Sequence, residues 1–398
     1  MKLPPDPRPR PVFAAGRELV GLGVAAIDTP ALVVDLDAME HNLTRMAEFA
    51  KKHKMRWRPH AKLHKSAALA RLQMQAGAIG VCVQKTAEAE LLAAGGVHNI
   101  YISNEVIAPA KLKRVAALAR MLRGAGGRLA IAVDTVQGVQ RLAAAMANLS
   151  DAGTSIDVFV EIDVGQGRCG VAPGAPAVAL TQEIEQHPAL VFAGLQAYHG
   201  SAQHLRTMRE RREAIAHAVA AATLTREQIE ARGIPVALVT GAGTGTFALE
   251  AASGIYGELQ PGSFLFMDAD YAQNERDPAQ PQFEHALFVK TEVISTSASH
   301  VVCDAGHKSH AIDSGLPLVH VLPGGDRLTY ANGGDEHGII HAAAPGGHLP
   351  SLGETLWLIP GHCDPTVNLH DSMIGVRGGL VRGTVERIIR VDARGALT

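Results

Sequence analysis

The chain has 398 residues, more than one hydrophobic core usually organises, so one large domain and a smaller companion are expected. Lys and Arg number 37 against 39 Asp and Glu, and a net charge of −2 offers nothing to a nucleic-acid backbone or an anionic membrane. No apolar run approaches the roughly 18 residues of a membrane span, the start MKLPPDPRPRPVFAAGRE lacks a signal-type apolar core, and Cys82, Cys169, Cys303 and Cys363 form no CxxC pair, so a reducing, cytoplasmic location is expected.

From residue 28 short apolar runs alternate with helical patterns. Strands are expected at 31–36 (ALVVDL), 55–59, 79–84, 98–103, 128–134, 157–163, 191–197 and 235–240. Helices are expected at 37–52, 64–76, 85–95, 109–124, 136–149, 173–187 and 203–232. Met39, Leu43, Met46 and Phe49 give the first of these the spacing of a half-buried helix. The strands are continuous apolar runs, as parallel strands covered on both faces require. Eight strands alternating with helices predict an α/β fold, a (β/α)8 TIM-type barrel over residues 28–271. An open doubly wound sheet would announce a dinucleotide site with GxGxxG after its first strand, and Val33-Val34-Asp35-Leu36-Asp37 has no such glycines.

Beyond residue 270 the long helical patterns stop. Strand-like runs follow at 285–295, 300–304, 318–321, 328–331, 355–359, 372–376 and 379–390, punctuated by Gly and Pro. They predict a second, mostly antiparallel β domain formed by 272–398 together with residues 1–27.

Barrels of this kind place chemistry in the loops that follow their strands. That rule selects RPHAKLHK (58–65), Gln84, Ser103-Asn104-Glu105, Asp134, DVGQGRCG (163–170), AYHGS (197–201) and TGAGTGT (240–246). The last offers backbone N–H groups at a recurrent phosphate position. A lysine on the same rim suits a phosphorylated aldehyde cofactor bound as a Schiff base, although a phosphosugar substrate would use the same pair. Lys62 lies nearer the strand end than Lys65, which is expected to begin the next helix as a solvated residue. In IPGHCDPTVNLHD (359–371), His362 and Asp364 are two apart; in an extended segment both would face one divalent ion, with a polar turn as the alternative.

The segments IDTPALVVDLD (27–37), RPHAKLHK, CVQKTAEAE (82–90), YISNEV (101–106), EIDVGQGRCGV (161–171), FAGLQAYHGSAQH (192–204), TGAGTGTF (240–247), YGELQPGSFLFMDADY (256–271) and PGHCDPTVNLHD (360–371) together resemble one family. It is the D-threonine aldolase and D-serine dehydratase-like group of the alanine-racemase-like, fold type III, pyridoxal-phosphate enzymes. The resemblance implies that Lys62 bears pyridoxal 5'-phosphate. It implies that Gly243, Thr244 and Gly245, with Tyr198 and Thr240, bind the cofactor and its phosphate. Gln84 and Arg168 match positions near the ring or its phenolic oxygen. His204 acts on the substrate hydroxyl, and Asp335 and His60 lie on the substrate side. His362 and Asp364 match the aldolase form of the metal motif, HxD, for which Mn²⁺ is the first expectation and Zn²⁺, Mg²⁺ or Co²⁺ alternatives. The dehydratase branch carries HxC there, and Cys363 is one position out of register for that role. Ala242 and Leu63 depart from the family's usual residues.

The implied reaction is retro-aldol cleavage of D-3-hydroxy-α-amino acids to glycine and an aldehyde. A D-serine or D-3-hydroxyaspartate-type dehydratase on the same scaffold is the alternative. Racemisation lacks a flanked tyrosine among residues 101, 198, 256, 271 and 330, and a non-catalytic cofactor carrier would not need the β domain. Small-molecule substrates and a homodimer are the expected partners.

Overall fold

The computed structural model of the protein describes residues 18–148, 153–322 and 325–398. The chain divides into two compact units. One comprises the residues up to Glu40 and Glu284–Val391; the other comprises His41–Phe283 and Asp392–Thr398.

The first expected strand, β1 (Ala31–Asp35), is not a barrel strand. It pairs antiparallel with β10 (Leu287–Thr296) and parallel with β16 (Ser372–Arg377), both in the smaller unit. The barrel is built instead from β2 (Arg56–Trp57), β3 (Val81–Val83), β4 (Asn99–Glu105), β5 (Arg128–Val133), β6 (Ile156–Glu161), β7 (Leu190–Ala197), β8 (Val239–Gly241) and β9 (Glu258–Leu259). They form one parallel sheet in the order β2-β9-β8-β7-β6-β5-β4-β3. Its two ends join through Ile79 N to Trp57 O (3.0 Å), Cys82 N to Pro59 O (2.9 Å) and Ala61 N to Cys82 O (2.8 Å). The glycine-rich loop therefore follows the seventh barrel strand rather than the eighth.

The two-residue period of the strands sorts their side chains. Val81, Ile100, Ile102, Ile131, Val158 and Val160 pack outward with helix residues such as Leu92, Leu112, Leu142 and Ile184. Cys82, Tyr101, Ala130, Ala132 and Phe159 form a second cluster, in which the small alanines accompany the Tyr101 and Phe159 rings, 4.8 Å apart. A buried polar chain continues from it. Tyr101 Oη donates to Gln196 Oε1 (3.1 Å), Gln260 Nε2 donates to Gln196 Oε1 (2.9 Å) and Thr240 Oγ1 (2.8 Å), and Thr240 Oγ1 donates to Glu258 Oε1 (3.0 Å). Arg58 Nε closes it on Glu258 at 3.1 Å, so the buried carboxylate is both paired and hydrogen-bonded, as such groups must be.

The helix expected from residue 203 starts later, at Met208. Thr207 and Glu210 form a capping box, with Glu210 N donating to Thr207 Oγ1 (3.2 Å) and Thr207 N to Glu210 Oε2 (3.1 Å). Residues 201–204 are left as a separate 3₁₀ turn.

The smaller unit holds β1 with β10 (Leu287–Thr296), β11 (Val301–Cys303), β12 (Leu318–Val319), β13 (Leu328–Asn332), β14 (Gly338–Ala342), β15 (Thr355–Ile359), β16 (Ser372–Arg377) and β17 (Thr384–Arg390). The order is β13-β14-β11-β10-β1-β16-β17, with β15 bridging β10 and β12. Every pairing is antiparallel except β1 with β16. The unit boundary falls inside the helix Leu36–Lys52, not at residue 28. Its first turn belongs with the sheet because Arg377 binds Asp37 (2.8 Å) and Glu40 (2.7 Å) as well as Glu386 (2.8 Å). Residues 1–17, part of the expected β domain, lie outside the described residues.

Candidate active site

The loop after β2 separates its two lysines. Lys65 has a left-handed backbone (φ +49°) and is buried, contrary to the expected solvated helix residue. Its Nζ lies 3.1 Å from Glu88 Oε1, while Glu88 Oε2 accepts from Gln84 N (2.9 Å) and Lys85 N (3.1 Å). Asp392 Oδ2 accepts from Ala67 N (2.8 Å) and Ala393 N donates to Lys65 O (3.0 Å), so the last seven residues brace this corner. Lys65 is thus committed to a carboxylate, whereas Lys62 is half-buried on the rim.

Lys62 N donates to His60 Nδ1 (3.3 Å). His60 Nε2 lies 3.0 Å from the Gln84 side-chain amide and 3.2 Å from Ser103 Oγ, so the ends of β2, β3 and β4 meet at one imidazole. His60, Gln84 and Lys62 are brought together here.

After β6, Asp163 Oδ1 accepts from Gly165 N (2.9 Å) and Gly167 N (3.1 Å), the local turn that aspartate favours. These backbone donors, Gly167 first, hold the Asp163 carboxyl below its ordinary value. Gln166 Oε1 then accepts from Gly200 N (2.7 Å), tying this loop to the one after β7. Arg168 consequently stands over the Tyr198 ring, 5.7 Å from its centroid.

The same rim carries Glu161, an acid that sequence reasoning passed over, beside Glu105 and Asp134, which the strand-end rule had selected. Glu161, at the end of β6, is pushed up to about 9 by burial and then by the neighbouring Glu105 carboxylate, both of which favour its protonated form. Glu105, Asp134 and Cys169 have ligand-type atoms within 4.8 Å of one another. Burial and Glu105 push the Cys169 thiol up to about 12. The signal available in the sequence was a carboxylate at the last residue of a barrel strand.

In the glycine-rich loop, Gln203 Oε1 accepts from Gly245 N (2.9 Å), and Thr244 Oγ1 accepts from Phe264 N (3.0 Å). Among the described residues the N–H groups of Gly243 and Thr244 have no acceptor. A Cβ on Gly243 would lie 2.5 Å from Gln203 Oε1, so a larger residue there would displace the side chain that accepts from Gly245 N. Ala242 is left-handed (φ +70°), the conformation in which a glycine would be unstrained. Thr240 is fully buried in the polar chain below this loop, its hydroxyl already donating to Glu258.

His204 ends the 3₁₀ turn 201–204 and places Nδ1 2.5 Å from Asp270 Oδ2. Asp270 is buried and also receives Arg206.

In the smaller unit, the HxD motif is not extended. His362 has an extended backbone, but Cys363–Val367 is a short helix, and Asp364 sits in its first turn. Cys363 is fully buried while His362 and Asp364 are half-buried. His362 Nδ1 lies 2.7 Å from Asp313 Oδ2, which leaves Nε2 for an ion, the arrangement typical of a metal-binding imidazole. Asp313, 49 residues upstream, carried no sequence signal. Asp335 is bound to His307 (2.8 Å) and Lys308 (3.2 Å), and the Lys308 ammonium holds its carboxyl below the usual range.

Two family models match this chain. Residues 34–270 match the alanine racemase N-terminal domain, and residues 286–376 match a putative serine dehydratase domain. The chain is 44% identical to a D-threonine aldolase of Arthrobacter sp over 94% of each sequence. It is 41% identical to a 3-hydroxy-D-aspartate aldolase of Paracoccus denitrificans over 95% of each. The crystal structure of D-threonine aldolase from Filomicrobium marinum superposes with a TM-score of 0.89 at 46% identity, covering 95% of this chain and 99% of that one. The chain belongs to the D-threonine aldolase family of alanine racemase-like lyases.

Proposed function

We propose that the protein cleaves D-3-hydroxy-α-amino acids to glycine and an aldehyde, using pyridoxal 5'-phosphate and a divalent metal ion. The observation that carries this reading is the end-to-end likeness, 46% identity at a TM-score of 0.89, to a D-threonine aldolase.

The chain's own residues fit both groups. Lys62 supplies the amine for the cofactor aldehyde, since Lys65 is bound to Glu88. The N–H groups of Gly243 and Thr244, which have no acceptor among the described residues, in a loop with no Cβ at Gly243, suit a phosphate. Tyr198 offers its ring and Arg168 a cation beside it. His60 and Gln84 supply polar atoms for the ring's substituents. His362 and Asp364 would hold the ion, and imidazole with carboxylate is a donor set for Mn²⁺ or Zn²⁺. When bound, the cofactor takes up the electron pair released by the Cα–Cβ bond, and the ion supplies Lewis acidity to the β-hydroxyl.

His204 takes the hydroxyl proton on Nε2, because Nδ1 faces Asp270. Asp335, held by His307 and Lys308, is assigned to the substrate side. Thr240 supports the glycine-rich loop from below. Aspartate at 364, with Cys363 turned into the interior, favours the aldolase over the dehydratase. Mn²⁺ as the ion, a homodimer as the assembly and the cytoplasm as the location complete the reading on family likeness.

The test is aldehyde release from D-threonine, followed by coupled reduction of acetaldehyde. The expected rate falls to background with a chelator and returns with Mn²⁺. Full turnover in the chelated, metal-free enzyme would contradict the metal assignment.

A further inference from the structure

Asp270 lies in the segment YGELQPGSFLFMDADY, which gave it no role of its own, yet its carboxylate is the best-anchored acid near the expected base. Both oxygens are used. Oδ2 lies 2.5 Å from His204 Nδ1, and Oδ1 receives Arg206 Nη2. Arg206 Nη1 also donates to Asp270 O (2.8 Å) and to Asn274 Oδ1 (2.7 Å). The two loops are stitched further by Asn274 Nδ2 to Gln203 O (2.9 Å) and Glu275 N to Arg206 O (2.7 Å). Beneath them the fully buried Arg211 donates to Leu205 O (2.7 Å), Arg206 O (3.0 Å) and Glu275 O. The Asp270 side chain is 8% exposed, whereas that of His204 is 49% exposed. A buried, clamped carboxylate therefore meets one edge of an imidazole whose other edge is accessible.

We infer that Asp270 is the positioning residue of His204, fixing its tautomer so that Nε2 accepts the substrate proton. A carboxylate can only accept, so the proton of a neutral His204 must sit on Nδ1. The lone pair is then on Nε2, which has no partner among the described residues. Arg206 keeps the carboxylate from rotating away, and the Tyr271 ring, 5.5 Å from the imidazole centroid, flanks it. Aspartate serves serine hydrolase histidines in this same way, where an asparagine in its place costs turnover through the wrong tautomer.

The inference rests on His204 as the base, and the experiment separates the two claims. Histidine-selective ¹⁵N labelling of the holoenzyme reads the His204 tautomer directly, with Asp270→Asn and His204→Gln as variants. In the wild type the ring is expected with Nδ1 protonated. In D270N the amide can donate to Nδ1, the proton moves to Nε2, and kcat/KM for D-threonine falls roughly 100-fold, the scale of lost general-base catalysis. In an H204Q background D270N is expected to cost little more, since both changes disable one unit. If H204Q falls but D270N leaves tautomer and rate unchanged, the positioning role is wrong. If H204Q retains full kcat/KM, the base assignment is wrong and this inference goes with it. Should D270N fail to fold, Arg206→Gln keeps both members of the pair and loosens the carboxylate; a smaller fall with a mixed tautomer is expected, and an unchanged ring contradicts the proposal.

Discussion

Lys62 and Lys65 share one octapeptide but not one environment. Lys62→Ala is expected to abolish both turnover and the visible absorbance of lysine-bound pyridoxal phosphate; retained colour with full activity would contradict its role. Lys65→Met should behave differently. It strands the buried Glu88 carboxylate, a loss of about 3–5 kcal/mol by the usual cost of halving a buried pair, read by chemical denaturation. Glu161 gives a pH signature. Burial and the Glu105 carboxylate push its carboxyl up from the ordinary 4.5 to about 9, so folding favours its protonated form. That contribution is complete below pH about 4.5 and is lost as pH rises toward 9. Glu161→Gln should therefore flatten the fall in melting temperature between these limits, and an unchanged slope would mean Glu161 is ionised in the fold. Asp313→Ala should weaken Mn²⁺ binding by roughly 10–100-fold in a metal titration, the usual loss when an imidazole ligand is no longer oriented. Lys62, His362 and Asp364 stood out in the sequence because each lies in a compact motif. Asp313, Glu88 and Asp270 did not, because their partners are 49, 23 and 66 residues away in the chain and only the fold supplies the neighbour.

Elements were legible where they were long. The strands at 128–133 and 190–197 and the helix at 109–124 fall close to their expected positions, because apolar runs and 3.6-residue periods of that length have few other readings. Three failures have physical causes. β1 is fully buried along its centre, and a buried strand reads the same whether its sheet is a barrel or not. β9 has only two residues, Glu258 and Leu259, too few to show any period, and β14 was missed among glycines and histidines. The tail at 392–398, expected in the β domain, belongs instead to the unit of the barrel and caps the helix Ala67–Gln75 through Asp392. Asp392→Ala should cost about 1 kcal/mol in denaturant unfolding, the usual value of a lost helix cap. No loss would show that the cap contributes nothing.

At the scale of the whole molecule, one unit carries the lysine, the glycine-rich loop and the His204–Asp270 pair, and the other carries His362, Asp364 and Asp313. The most direct test is to identify the products formed from D-threonine by purified protein with pyridoxal phosphate and Mn²⁺. Glycine and acetaldehyde in equal amounts are predicted. Ammonia and 2-oxobutanoate would make the protein a dehydratase and would show that an aspartate at position 364 does not select carbon–carbon cleavage.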